Sequence, residues 1–82
     1  MDGLEVARTV IEVLIDITDE PAIADERELD LFAAGLLDSL GAIELLVAIE
    51  DAFDVQIAPT AVEREDMNTV NKIVALVESL VA

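Results

Sequence analysis

Apolar residues recur with the period of a helix in three stretches of the chain. Val6, Val10, Val13 and Ile17 form one stripe. They predict a helix over residues 3–17, capped by Asp2 with Glu5 three positions on. Val70, Ile73, Val74, Val77 and Leu80 keep the i, i+3, i+4, i+7 spacing and predict a last helix over residues 69–81, capped by Asn68-Thr69. Residues 39–54 also read as a helix, but with two apolar faces at 3.6 residues per turn. Ala42, Leu45, Leu46, Ile49, Ala52 and Phe53 form an ordinary core stripe. Ser39, Leu40, Ile43, Glu44, Val47, Glu50, Asp51 and Asp54 fall on the other side, three aliphatic residues among four carboxylates.

The segments between these helices are less regular. Residues 18–38 form a long connection in which Pro21 is expected to stop any helix. There Asp25, Glu26 and Glu28 face water, while Leu29, Leu31 and Phe32 tuck into the core, with Gly35 turning the chain before the central helix. Thr60 and Glu63 spell a capping box after Pro59 and predict a short helix over residues 61–66. Val55-Gln56-Ile57 alternates like a strand, but a single short run has nothing to pair with. The expectation is an all-α fold, a small bundle of three main helices plus one short helix, in one domain spanning residues 1–82.

Composition narrows the chemistry. Aromatic residues make up only 2%, so the core must be aliphatic. The net charge of −15 comes from 19 acids against four bases, with no Lys or Arg between Arg27 and Arg64. Such a field disfavours nucleic acid and anionic membranes and suits basic protein surfaces; the plain alternative is that it only keeps a small domain soluble. No run is apolar enough to cross a membrane and no signal-peptide pattern opens the chain, so membrane insertion is not expected and a cytoplasmic location is. With no Cys and no His, neither a Cys/His nor a Ser/His/Asp nucleophilic set can be assembled. The chain is therefore not expected to be an enzyme. An acidic chain also raises calcium binding, but no segment has the ligand spacing of an EF-hand loop, and no metal site is expected.

A continuous apolar ridge with a charged rim is the anatomy of a docking surface. Leu40, Ile43 and Val47 supply the ridge; Glu44, Glu50 and Asp51 supply the rim. The alternative is that Leu40 and Ile43 contact the long connection and belong to the core. Ser39 opens the same helix, where backbone N–H groups favour a negatively charged group such as a phosphate. Asp38 or Ser39 alone would also serve as a plain helix cap.

Leu36-Leu37-Asp38-Ser39-Leu40-Gly41-Ala42-Ile43-Glu44-Leu45, followed by Ile49-Glu50-Asp51-Ala52-Phe53-Asp54-Val55-Gln56-Ile57, resembles the carrier-protein family of acyl, peptidyl and D-alanyl carriers. The resemblance runs from Leu29 to Val81. Within the family it is greatest to the D-alanyl carriers, through Gly35 to Ser39, Leu45 to Glu50, and the Arg64 to Thr69 tail with Ile73-Val74. Leu40 and Met67 depart from the family pattern, which has aromatic residues there. The resemblance implies 4′-phosphopantetheine, taken from coenzyme A, on Ser39 of the Asp38-Ser39-Leu40 motif. It also implies a phosphopantetheinyl transferase, an adenylate-forming ligase and a downstream acyltransferase as partners of a monomeric carrier. D-alanine is the expected cargo, a fatty-acyl or polyketide cargo the alternative. An unmodified acidic interaction domain is the reading from a different class.

Overall fold

The computed structural model describes residues 2–81, and the Asp2 carboxylate sets where its first helix begins. It accepts a hydrogen bond from the Glu5 N–H at 2.9 Å, and helix α1 runs Gly3–Thr18. Asp19 ends it in the left-handed conformation, φ 56°, with its N–H on the Ile15 carbonyl. Short polar side chains tolerate that conformation better than others. Val6, Ala7, Val10 and Leu14 are the buried residues of α1. The expected stripe continued through Val13 and Ile17, which are half-buried at its edge. Val6, Val10 and Leu14 lie on one i±4 row, the ridge that packs into a neighbouring helix and drifts around the wheel as it advances.

α1 is the central element of the bundle and packs along both other helices. Helix α2, Ser39–Phe53, buries Gly41, Leu45, Leu46, Ile49 and Phe53. Ala42 is half-buried and Ala52, expected in the core, is exposed; it lies at the far edge of the stripe, beyond the packed ridge. Asp54 stands outside the helix as its left-handed cap, φ 53°. Helix α3, Val70–Val81, buries Val70, Ile73, Val74 and Val77. The Thr69 hydroxyl caps it by accepting from the Lys72 N–H at 3.1 Å. Leu80, placed on the core stripe by its spacing, is 38% exposed.

The connections hold the surprises. Pro21 starts a helical turn rather than preventing one: Pro21–Asp25 is a 3₁₀ helix, and a proline at a helix start loses no hydrogen bond. It inserts Ile23, which is fully buried. Leu31 is also fully buried and Leu37 nearly so, whereas Leu29 and Phe32 are half-buried. The Leu31 N–H donates to the Asn68 carbonyl at 2.7 Å, and its own carbonyl accepts from Leu36 and Leu37. Gly35 completes the turn at φ 77°, where a side chain would strain the backbone. Asp30 ties this connection to the start of α3. Its carboxylate accepts from the Ala33 N–H at 3.0 Å and the Asn68 side-chain amide at 3.1 Å. Asn68 is thus a link between segments, and Thr69 alone caps α3.

The helix expected over residues 61–66 is instead two 3₁₀ turns, Pro59–Ala61 and Arg64–Asp66. The capping box exists, but between Glu63 and Asp66, not Thr60 and Glu63. Val62 between the turns is extended (φ −123°, ψ 125°) and packs on the core. Extended backbone suits that β-branched side chain, which packs half-buried against the core, and the nucleation of a single turn of α-helix is unfavourable in any case. Residues 55–57 form no strand, and there is none among the described residues.

Candidate functional site

The site is built around the first turn of α2. Asp38 has extended backbone (φ −127°, ψ −173°) and is the N-cap. Its Oδ1 accepts from the Gly41 N–H at 2.7 Å, and its carbonyl accepts from the Ala42 N–H at 2.9 Å. The cap is therefore filled by Asp38, and Ser39 is left as the first helical residue, exposed, with no hydrogen bond on its hydroxyl among the described residues. Sequence reasoning placed Asp38 and Ser39 here but passed over Gly41. A Cβ on Gly41 would lie 3.3 Å from the Asp38 carboxylate and 3.3 Å from the Leu37 side chain. The glycine lets both close over the helix start, and the Asp-x-x-Gly spacing was its signal.

The outer face of α2 follows directly. Leu40, Ile43 and Val47 are 65%, 55% and 59% exposed, so the connection does not cover them. Glu44 and Asp51 are exposed on the same side. Glu50 sits at the border: it is half-buried, and its carboxylate accepts from the Ile57 N–H at 2.8 Å. That bond holds the chain leaving α2 and pins Ile57 in the core.

Two open clefts flank the helix start. One, about 240 Å³, is lined by Ile17, Gly35, Leu36, Asp38, Leu40, Gly41 and Glu44. The other, about 200 Å³, is lined by Phe32, Ser39, Ala42, Ile43, Leu46, Val62, Arg64 and Met67. Met67 is buried at its floor. The Arg64 guanidinium lies over the Phe32 ring, 4.6 Å from the centroid, as a cation–π pair. Phe32 and Arg64 come from different connections, and no local pattern marks them as neighbours.

The titration of Asp30 belongs to the scaffold rather than the site. The Ala33 N–H, helped by the Asn68 amide, holds its carboxyl below the ordinary value against the opposing effect of partial desolvation. Among the described residues no three His, Cys, Asp or Glu side chains are grouped to hold a metal ion. No helix is long and apolar enough to cross a membrane.

Comparison with known proteins bears on this geometry. Residues 8–77 match the family described as the phosphopantetheine attachment site. A D-alanyl carrier protein of Streptococcus uberis is 45% identical over 75 residues, covering 88% of this chain and 95% of that protein. One from Bacillus velezensis is 39% identical over 71 residues, covering 87% and 91%. A third, from Lactococcus lactis subsp. cremoris, is 39% identical over 69 residues, covering 84% and 87%. A carrier domain works by meeting ligases and transferases, which accords with an exposed hydroxyl at the helix start. The chain belongs to the phosphopantetheine-attachment family, and its part in the chemistry is that of a carrier.

Proposed function

We propose that Ser39 bears the 4′-phosphopantetheine and that the chain carries D-alanine as its activated cargo. The observation that carries this reading is the division of labour at the start of α2. Asp38 satisfies the helix cap, so the Ser39 hydroxyl is free to react. The residues fit the group: the hydroxyl is exposed, it opens onto a cleft, and the helix dipole favours an anion beside it. In the attachment step Ser39 Oγ forms a bond to the phosphorus next to pantetheine in coenzyme A. The pyrophosphate bond breaks, 3′,5′-ADP leaves, and the serine proton passes to a base on the transferase. When bound, the group supplies a terminal thiol that can hold a carboxyl group as a thioester, the nucleophile this cysteine-free chain lacks. Leu40, Ile43 and Val47 then provide the contact for the transferase, a D-alanine-activating ligase and a downstream acyltransferase, and Glu44 and Asp51 steer basic partners. The reading places these encounters in the cytoplasm.

D-alanine is supported by the names of the three relatives. The clefts are compatible with it. At about 200 and 240 Å³, and open to solvent, they are small beside ligand pockets of ~300–1,000 Å³. A long acyl chain gains from an apolar interior, whereas a charged aminoacyl group is penalised for entering one. Intact mass after incubation with coenzyme A and a phosphopantetheinyl transferase tests the attachment: the wild type gains the arm and Ser39→Ala does not. The loaded protein is then offered to a D-alanine carrier-protein ligase and to a fatty-acyl synthetase. Loading by the second alone would replace D-alanine with a fatty-acyl cargo, and no mass gain at all would leave an unmodified interaction domain.

A further inference from the structure

The two clefts beside Ser39 are opposite in charge. Asp38 and Glu44 line one, while the other contains Arg64 and, among the described residues, no acid. Ser39 itself lies on the Arg64 side. We propose that Arg64 is the counter-cation of the phosphodiester formed on Ser39, and that this pairing holds the attached group on the Arg64 side of the helix start rather than the Asp38–Glu44 side. The inference rests on Ser39 being the attachment site and concerns where the attached group lies.

Charge gives the direction. The new phosphodiester adds a negative charge to a chain already at −15. On one side it meets the carboxylates of Asp38 and Glu44; on the other it meets one of only four cations in the sequence. Arg64 is also suited to the task. A guanidinium presents a planar fork of donors that matches phosphate oxygens, and the stack on Phe32 limits where that plane can go. Shape gives the rest. A cleft of about 200 Å³ is too small and open to retain a free ligand. A tethered group needs no such affinity, because attachment fixes its effective concentration near the millimolar range or above. The first portion of pantetheine carries a geminal dimethyl group, which suits a wall of Ile43 and Val62 over a Met67 floor.

The test uses the loaded protein. Wild type, Arg64→Ala and Arg64→Gln are each modified with ¹³C-labelled coenzyme A, and intact mass confirms the arm on each. Nuclear Overhauser contacts are then measured from the geminal methyls of the arm to the Val62 and Met67 methyls. The wild type shows them, and both variants lose about two- to fivefold of their intensity, the range of an exposed ion pair. Adding 0.5 M salt, at roughly two Debye lengths per nanometre, weakens the contacts in the wild type and leaves the variants unchanged. Gln keeps most of the side chain's stem, so a folding defect confined to Ala does not blur the result, and the salt comparison needs no substitution. A confirmed mass with contacts equal in wild type and variants, or with contacts to Ile17 and Leu36 instead, overturns the proposal. Failure to gain the mass defeats the attachment reading itself.

Discussion

The two sides of α2 are both aliphatic and have opposite fates. Leu45, Leu46, Ile49 and Phe53 are at most 8% exposed, whereas Leu40, Ile43 and Val47 are all more than half exposed. Residue type does not separate the two sets. What separates them is what lies opposite: α1 packs against one face of α2, and among the described residues nothing comparable covers the other. Periodicity identifies an apolar face; only a packing partner turns that face into core. The largest test of this difference is truncation on the covered side. Leu45→Ala or Ile49→Ala should cost about 2–5 kcal/mol, through lost burial and the cavity left behind. For a chain this short that lowers the melting temperature by at least about 8 °C. Thermal unfolding followed by circular dichroism measures it, and a loss no larger than that of Val47→Ala would collapse the distinction between the faces.

The comparison also marks how far the chain was legible. The three helices, the Asp2 cap and the exposed ridge depend on local spacing, and all could be read. Ile23 and Leu37 could not, because they sit in irregular backbone where burial depends on residues far away in sequence. The Thr60-x-x-Glu63 pattern misled for the converse reason: it is locally sound but lost to the extended packing of Val62 against the core. At the candidate site, the helix start at Asp38 and Ser39 was legible from a motif. The Arg64–Phe32 pair was not, since its members are joined only by the fold.

Glu50 sharpens the line between the faces, because the wheel puts it with the ridge while its hydrogen bond puts it with the scaffold. Glu50→Ala leaves the Ile57 N–H without its acceptor in a half-buried setting, which costs about 1–3 kcal/mol. Glu50→Gln keeps an acceptor and should recover most of that loss. Urea midpoints measure both. An unchanged midpoint for Glu50→Ala would return the residue to the ridge.

Asp30 makes the same kind of distinction by pH, in the connection it ties to the start of α3. Its carboxyl is held below the ordinary value of 3.8, chiefly by the Ala33 N–H. A folded-state value below the unfolded one means that the carboxylate stabilises the fold at higher pH. That contribution is fully present above the unfolded value and is lost as pH falls through the lowered one. Asp30→Ala should therefore be less stable than wild type at neutral pH, with the gap closing below pH 3.8. Chemical unfolding from pH 7 down to the acid limit follows the gap. A difference independent of pH would assign Asp30 a packing role rather than a charged one.

The smallest expected effect on stability is the most telling for the ridge. Val47 and Glu44 are exposed, and substitutions at such positions usually stay within about 0.5 kcal/mol. Val47→Ala and Glu44→Lys should thus unfold with the wild type. Their effect should appear only when a partner covers the ridge. Val47→Ala removes apolar contact and acts mainly on the dissociation rate. Glu44→Lys reverses a charge proposed to steer basic partners and should act mainly on the association rate, more at low salt than at high. Surface plasmon resonance against the transferase or the ligase, at two ionic strengths, separates the two rates. If both variants keep wild-type kinetics, the ridge is exposed apolar surface without a docking role; if both lose stability, it belongs to the core after all.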